Sequence, residues 1–257
     1  GALSAPADIA VLGTPSNDIQ RAFDEKIAAL EEEFAKTGND VQRDSLRKEY
    51  SKLMSDAVEM NRDNIYGVTT FLNNAYAFLS PEEVMEQIAL FPAEWQQRTE
   101  LTDLRKVMEQ RLRTTVGQPY VDISAPNADD KAVSLKSVIE NPANKYVLVD
   151  FWASWCGPCL REIPYLQADY EKYRKKGFEI YAVSLDDERD AWVKTIADKQ
   201  MKWIQVCDFK AFDSPASLDY AVESIPSNFL IDAQGRIVAK NLRGEDLCSK
   251  VAELLAE

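Results

Sequence analysis

Residues 145–159 constrain the fold of this chain more than any other stretch. They contain the apolar run Tyr-Val-Leu-Val-Asp-Phe-Trp, which predicts a buried β-strand, and they end in Trp-Cys-Gly-Pro-Cys. The next residues, Leu-Arg-Glu-Ile, favour a helix. This order of strand, two-cysteine turn and helix places the thiols of Cys156 and Cys159 at a helix N-terminus.

A thiol in the first turn of a helix has an unusual electrostatic environment. Unpaired backbone N–H groups and the positive end of the helix dipole both favour thiolate over thiol. A cysteine with the ordinary pKa of about 8.5 is only a few per cent thiolate at neutral pH, whereas one with a pKa of about 7 is half ionised. We therefore predict that Cys156 is the exposed attacking sulfur and that Cys159, one helical turn inward, is the resolving sulfur.

Two other uses of the cysteine pair remain open from the residues alone. The pair could be half of a zinc site that Cys207 and Cys248 complete, or it could be an inert structural disulfide. Cys207 and Cys248 stand alone, one beside a strand and the other inside the final predicted helix. We interpret both as small buried hydrophobic residues, and we predict no metal site.

The ionisable residues exclude several classes of function. The 257 residues include no histidine, which excludes Ser-His-Asp hydrolysis, Cys-His proteolysis and His-ligated metals. With 43 Asp and Glu against 30 Lys and Arg, the net charge is -13, and such a chain should repel phosphate backbones. We expect no nucleic-acid partner.

Residues 1–115 have the pattern of an all-α domain. Apolar residues recur at spacings of three and four opposite charged residues, which predicts amphipathic helices. In the first helix these apolar residues are Ile19, Phe23, Ile27, Leu30 and Phe34. A later helix is predicted to start at Ser-Pro-Glu-Glu, residues 80–83, which offers a hydroxyl cap, a proline in the first turn and a carboxylate three residues on. The last helix is predicted over 101–113.

The character of the sequence changes near Val-Gly-Gln-Pro, residues 116–119, so we predict a second domain over residues 116–257. Short β-rich runs alternate there with amphipathic segments, and strands are predicted over 146–151, 178–184, 227–231 and 236–240. The sequence Asp-Ala-Gln-Gly at 232–235 predicts a hairpin turn with glycine at a positive φ. This order predicts an α/β fold, with a mixed sheet flanked by helices.

The second domain resembles the thioredoxin superfamily. Trp-Cys-Gly-Pro-Cys is the motif of thioredoxin, and Asp150, Pro164 and the Ile-Pro pair at 225–226 match further positions of that family. Three phrases are similar to the bacterial envelope thiol-disulfide oxidoreductases of the TlpA/ResA type, which carry a redoxin domain. They are Cys-Leu-Arg-Glu-Ile-Pro at 159–164, Val-Ser-Leu-Asp at 183–186 and Ile-Pro-Ser-Asn-Phe-Leu-Ile-Asp at 225–232. The resemblance implies a thioredoxin-like fold, with the helical region as an N-terminal extension.

The resemblance implies roles for two residues that lie outside the cysteine motif. Asp150 is implied to be a buried carboxylate near Cys159, with a pKa raised by desolvation, so that it accepts the proton of the resolving thiol. Pro226 is implied to follow a cis peptide bond and to face the cysteines. Because proline has no N–H, this loop exposes the neighbouring backbone, and a bound chain can pair with Ile225 as an added strand.

The other residues near the motif are implied to contact substrate or to shape the helix. Trp155 forms a flat lip beside the attacking sulfur, and Gly157 and Pro158 complete the surface that meets the substrate. For Glu162 we favour a solvated or structural role. A peroxidase of the redoxin class would have threonine three residues before its reactive cysteine, but Ala153 stands there. This residue therefore argues against a peroxidase function.

These residues predict dithiol-disulfide exchange with protein substrates and without a cofactor. The Gly-Pro dipeptide with Ile225 resembles the reducing end of the family, so we expect a reductant in the periplasm or cell envelope that is supplied by an upstream membrane thiol electron donor. Residues 1–6 lack the basic start and apolar core of a signal peptide, and we expect that a removed N-terminus tethered the chain to the membrane. The alternative is a partner-binding module whose helical half docks a protein, with the redox site ancillary.

Overall fold

The computed structural model describes residues 15–256, and these divide into two compact units, one up to Met108 and the other from Glu109 onwards. The division falls a few residues before the domain boundary near residue 115, which stays a prediction. The expectations for residues 1–6 and for the side chain of Ile19 lie outside the described residues.

The first unit is helical, as predicted. Its elements are α1 Pro15–Lys36, α2 Asp40–Met60, α3 Ile65–Asn73, a 3₁₀ turn Ala75–Phe78, α4 Pro81–Ala89, α5 Ala93–Gln96 and the start of α6 Thr99–Arg113. Side-chain caps begin three of the helices. Asn39 caps α2, Asn64 caps α3, and Ser80 and Glu83 form the predicted capping box of α4.

The core of the first unit is apolar. Of the stripe predicted for α1, Phe23 is buried, and Ile27, Leu30 and Phe34 are half-buried. The largest cluster draws buried side chains from α2, α3, α4 and α6. They include Met54, Val58, Val68, Phe71, Val84, Ile88, Leu101 and Met108. The apolar faces predicted from the sequence are therefore buried where the helices pack against one another.

The second unit confirms the prediction of a mixed sheet flanked by helices. Its elements are β1 Ser124–Pro126, β2 Ala132–Ser134, α7 Leu135–Ile139, β3 Tyr146–Trp152, α8 Gly157–Tyr173, β4 Phe178–Ser184, α9 Arg189–Asp198, β5 Ile204–Cys207, α10 Pro215–Asp219, β6 Ser227–Asp232, β7 Ile237–Lys240 and α11 Gly244–Leu254. The main sheet has the order β5-β4-β3-β6-β7. Its β3, β4 and β5 are parallel, whereas β6 is antiparallel to both β3 and β7. Strands β1 and β2 form a separate antiparallel pair.

Two features of this sheet bear on the sequence predictions. The hairpin between β6 and β7 closes as predicted, because Gly235 has a φ of 75° and its N–H donates to the carbonyl of Asp232 at 2.9 Å. Strand β5 was not predicted, since a run of only four residues at the edge of the sheet gives little periodicity to detect. Cys207 consequently lies in a strand and not beside one.

The central strand β3 divides its side chains between two apolar clusters. Successive side chains of a strand point to opposite faces, so Asp150 lies on the same face as Leu148 and Trp152. The cluster on that face contains both cysteines of the motif and side chains of α8 and α11. The opposite face, with Val149 and Phe151, packs with residues of α7 and α10. Alternation along β3 therefore places Asp150 on the face that carries the cysteines.

Candidate active site

The cysteine motif lies where β3 passes into α8. Cys156 is the N-cap residue of α8, and its Sγ accepts a hydrogen bond from the backbone N–H of Cys159 at 3.1 Å. Pro158 stands in the first turn of the helix, where a missing N–H costs no intrahelical bond. A sulfur held at this position receives the N–H groups and the helix dipole that favour a thiolate.

The two sulfurs of the motif are joined in a disulfide, so the structure shows the oxidised protein. Cys156 is 4% exposed and Cys159 is 3% exposed. The prediction of an exposed attacking sulfur is therefore wrong for the oxidised form. The physical reason is that Cys156 is bonded to an inner sulfur and belongs with it to the apolar cluster that contains Trp152 and Ala153. Gly157 and Pro158, between the cysteines, are exposed.

Asp150 is a buried carboxyl group on the same face of the sheet. It is 6% exposed, and burial raises its pKa from 3.8 to about 7. The positive charge of Arg243 acts in the opposite direction, and the negative charge of Glu162 raises the pKa further. A carboxyl group with this pKa can both accept and release a proton near neutral pH, as general acid-base chemistry requires.

The loop before β6 carries the Ile-Pro pair. The peptide bond between Ile225 and Pro226 is cis, as the family resemblance implied. Ile225 is partly buried against the cluster that contains the cysteines, and it lies two residues before the start of β6. Arg243 donates from Nη2 to the carbonyl oxygen of Pro226. The loop is therefore fixed by a side chain from the segment that connects β7 to α11.

The two tryptophans of the motif region have different environments. Trp155 is 55% exposed, and its ring lies 6.4 Å from that of Phe212, which belongs to a 3₁₀ turn at Ala211–Asp213. Trp152 is buried and donates from Nε1 to Oε1 of Gln205 at 3.1 Å. Trp155 thus offers an apolar surface next to the motif, whereas Trp152 supports the motif from inside.

Sequence reasoning assigned no role to Asp186, which fixes the backbone just before Trp155. Its carboxylate is buried and accepts hydrogen bonds from the N–H of Ser154 at 3.0 Å and from the hydroxyl of Ser154 at 2.5 Å. The hydroxyl of Ser184 donates to it as well, at 2.5 Å. The only signal in the sequence was its place in the phrase Val-Ser-Leu-Asp. Arg243 and Phe212 were also missed, because nothing local in the sequence connects them with the motif.

The other two cysteines lie outside this arrangement. Cys207 is buried, its Sγ donates to the backbone oxygen of Asp186 at 3.5 Å, and burial raises its pKa to about 11. Cys248 is only half-buried, and burial and its hydrogen bond with Asp169 raise its pKa to about 11. The interpretation as a small buried residue therefore holds for Cys207 but not for Cys248. Within residues 15–256 no three or more cysteine, aspartate or glutamate side chains converge on a metal-sized site.

Glu162 has a structural contact, in agreement with the role that we favoured. Its Oε2 accepts a hydrogen bond from the backbone N–H of Gly244, the first residue of α11, at 2.8 Å. The contact joins α8, which carries the cysteines, to α11 on the same face of the sheet. Glu162 therefore reaches Asp150 through its charge and α11 through a hydrogen bond.

Comparisons with known proteins concern mainly the second unit. The model of the AhpC/TSA family matches residues 116–240. The thiol-disulfide oxidoreductase ResA of Bacillus thuringiensis subsp. konkukian is 30% identical over 145 residues, which are 54% of this chain and 76% of the relative.

Two solved structures have a similar fold. One is the thioredoxin domain of a thiol-disulfide oxidoreductase from Bacteroides vulgatus, with 35% identity and a TM-score of 0.51, covering 55% of this chain and 98% of that domain. The other is a thiol:disulfide interchange protein from a Bacteroides species, with 35% identity and a TM-score of 0.50, covering 56% of this chain and 91% of that protein. These likenesses confirm the thioredoxin-like fold. Among the described residues, none of the helices combines the length and the apolar character needed to cross a membrane.

Proposed function

Since the chain belongs to the ResA-like thiol-disulfide oxidoreductases of the thioredoxin superfamily, we propose that Cys156 and Cys159 exchange their disulfide with those of protein substrates. The observation that supports this proposal most directly is the bonded cysteine pair at the start of α8, on the sheet face where Asp150 is buried. This arrangement supplies a nucleophile, a resolving sulfur and a proton acceptor together.

In the first step the reduced protein attacks its substrate. The thiolate of Cys156 attacks one sulfur of the substrate disulfide, a mixed disulfide forms, and the other substrate sulfur leaves as a thiolate that takes a proton from solvent. The helix N-terminus favours the thiolate of Cys156 before the attack. Trp155, Gly157 and Pro158 lie at the surface beside this sulfur, and in our proposal they contact the substrate, while Ile225 pairs with its backbone.

In the second step Cys159 releases the substrate. Its thiol passes a proton to the carboxylate of Asp150, and the resulting thiolate attacks Sγ of Cys156. The internal disulfide closes as the mixed disulfide breaks, and the second substrate sulfur leaves as a thiolate that is protonated from solvent, while Asp150 releases its proton to solvent. Two electrons have then passed to the substrate, and the protein is in the oxidised form that the structure shows.

We propose that the chain works as a reductant in the cell envelope. The Gly-Pro dipeptide between the cysteines, together with Ile225, supports this direction. Once oxidised, the pair needs two electrons from a donor, for which we propose a membrane thiol protein. A measured reduction potential near the thioredoxin value of about -270 mV would agree with this direction, and a value above about -180 mV would contradict it.

The exchange itself is tested by trapping its intermediate. In Cys159→Ser the mixed disulfide through Cys156 has no resolving thiol, so covalent complexes with substrate proteins should accumulate. Cys156→Ser serves as the control and should trap none. If neither variant yields a covalent complex that a reductant cleaves, Cys156 is not the attacking sulfur. The trapped proteins also identify the substrates.

A further inference from the structure

Residues 241–243 connect β7 to α11, and hydrogen bonds fix them firmly. On β6 the side chain of Asn228 clamps Leu242 from both sides, with Nδ2 donating to its carbonyl at 2.8 Å and Oδ1 accepting from its N–H at 3.0 Å. Asn228 is buried and is the residue of β6 paired with Asp150 of β3. Asn241 adopts the left-handed region, with a φ of 56°, which turns the chain towards β6. The residue after Leu242 is therefore held in a defined position close to the strand pair in which Asn228 lies opposite Asp150.

That residue is Arg243, whose guanidinium joins two backbone segments. Nη1 donates to the carbonyl of Leu242 at 2.7 Å, and Nη2 donates to the carbonyl of Pro226. The planar guanidinium can hold two acceptors at once in a fixed geometry, which a lysine ammonium does less well. The bond to Pro226 leaves the backbone of Ile225, the residue proposed to pair with substrate, outside this contact.

The same guanidinium acts on the buried carboxyl group. Among the described residues, the charged groups that act on Asp150 are Glu162 from α8 and Arg243 from the β7–α11 connection. The cysteines of the motif lie in the apolar cluster on the same face of the sheet. The neighbours of Asp150 on the adjacent strands are uncharged, Ala182 on β4 and Asn228 on β6. In the oxidised protein the two sulfurs do not ionise, so Arg243 supplies the positive charge that opposes burial and the charge of Glu162.

We propose that Arg243 is a positioning residue of the active site, because its guanidinium fixes the substrate-binding loop through Pro226 and favours the ionised form of the proton acceptor Asp150. The proposal rests on the proposed function for the roles of these two groups. One side chain then sets both the geometry of substrate binding and the pH at which the resolving thiol can be deprotonated.

Arg243→Met tests this role, since it removes both the two hydrogen bonds that the guanidinium donates and its positive charge. Burial and Glu162 then act on Asp150 unopposed, and its pKa should rise by at least about one pH unit. The measurement is a titration of the carboxyl carbon of Asp150 by ¹³C NMR in the full, oxidised chain. It requires no turnover, so its result does not depend on the proposed function.

The second readout is the KM for insulin, used as the disulfide substrate with dithiothreitol as the electron source. Arg243→Met should raise this KM by about three-fold or more, because the loop at Pro226 loses its anchor. Arg243→Lys should keep the Asp150 titration near that of the wild type while still raising KM, since the charge remains but the planar pair of hydrogen-bond donors is lost. This separation is one that a merely structural role of Arg243 would not produce.

Arg236→Met is the matched control. Arg236 also donates to a backbone carbonyl, that of Gly117 at 3.0 Å, but it lies before β7 and not after it. It should change neither the titration nor KM. If Arg243→Met unfolds the chain, Arg243→Gln and Arg243→Lys carry the test.

The outcomes distinguish the two proposals. An Asp150 titration that is the same in the wild type and in the neutral variants at residue 243 overturns the electrostatic part, and an unchanged KM in all of them overturns the positioning part. If instead the wild type does not reduce insulin at all, the proposed function fails, while the titration still decides whether Arg243 acts on Asp150.

Discussion

The two units of the chain bury different kinds of side chain. Among the described residues of the first unit, the buried polar side chains are Asn61 and Thr70, and Asn61 closes the end of α2 by donating to the carbonyl of Ala57 at 2.9 Å. The second unit buries three carboxyl groups and several amides and hydroxyls. They belong to Thr114, Asp150, Asp169, Ser184, Asp186, Gln205, Ser214, Ser217 and Asn228.

This difference shows where the chain accepts an energetic cost. A buried carboxyl group loses its hydration, and only hydrogen bonds or nearby charges offset that loss. For Asp186 the lost hydration is offset by hydrogen bonds from Ser154 and Ser184, and these bonds stabilise the loop before Trp155. For Asp150 burial prevails and its pKa rises, which is the arrangement expected of a group that exchanges protons. The helical unit has no comparable group among its described residues.

The largest expected effect comes from the cysteine pair. Cys156→Ser should lower the rate of insulin reduction by at least about 10³-fold, because the nucleophile is lost. Cys248→Ser, a change of the same kind outside the motif, should leave the rate within about twofold. Rates measured with dithiothreitol as electron source check both variants. Comparable losses in the two would mean that the second unit does not confine its chemistry to the start of α8.

The next effect concerns the pH dependence of stability. Folded protein keeps the proton of Asp150 up to about pH 7, whereas the unfolded chain loses it near pH 4, so the free energy of unfolding should fall as pH rises between these values. The shift of about three pKa units sets an upper limit of roughly 4 kcal/mol. Asp150→Asn should lose the part of this decline that Asp150 contributes, which urea unfolding of the oxidised protein at pH 5 and pH 8 will measure against the wild type.

The control for this experiment is Asp129→Asn, at an exposed aspartate of the same unit. It should follow the wild type at both pH values. Parallel pH dependences of the wild type and Asp150→Asn would show that Asp150 does not titrate abnormally, and the contrast between the two units would lose its main support.

A smaller effect is expected at the other buried carboxylate. The Asp186 carboxylate accepts hydrogen bonds from two residues, Ser154 and Ser184, through both of its oxygens. Asp186→Asn puts an amide nitrogen, which cannot accept, in place of one oxygen, so the free energy of unfolding should fall by about 1–3 kcal/mol. The exposed neighbour Asp187 provides the control, since Asp187→Asn should change stability by less than about 0.5 kcal/mol. Equal urea midpoints for the two variants would contradict a role of Asp186 in stabilising the loop before Trp155.

The smallest effect should come from removing the first unit. A chain that begins at Glu109 keeps the ion pair of Arg111 with Glu223 and the bond from Lys240 to the carbonyl of Thr114. We expect it to reduce insulin within about twofold of the full rate, because every residue of the proposed mechanism lies in the second unit. A loss of tenfold or more would favour the alternative in which the helical unit docks a partner during turnover.

The sequence was most informative where structure depends on neighbouring residues. The turn from β3 into α8, the capping box at Ser80 and the hairpin at Gly235 all depend on contacts within a few positions, and the structure has each of them. The burial of Asp150 was predicted from the family resemblance alone. Local chemistry and the family resemblance together therefore predicted most of the site.

What the sequence did not predict depends on long-range contacts or on oxidation state. Arg243 reaches Pro226 from 17 residues away, and the position of Asn228, which clamps the connecting segment, arises from strand pairing. The burial of Cys156 depends on its bond to Cys159, which the sequence permits but does not require. No periodicity or motif reports such contacts, since they exist only once the sheet is assembled.

The central claim is that the start of α8 keeps one sulfur ionised beside its partner, and the pH dependence of alkylation of the reduced protein tests it most directly. Iodoacetamide labelling of each thiol, followed by mass spectrometry from pH 5 to pH 10, yields the two profiles. We predict that Cys156 reacts with a midpoint well below the ordinary value of about 8.5, and ahead of Cys159. Two thiols that both follow the profile of free cysteine would contradict the account.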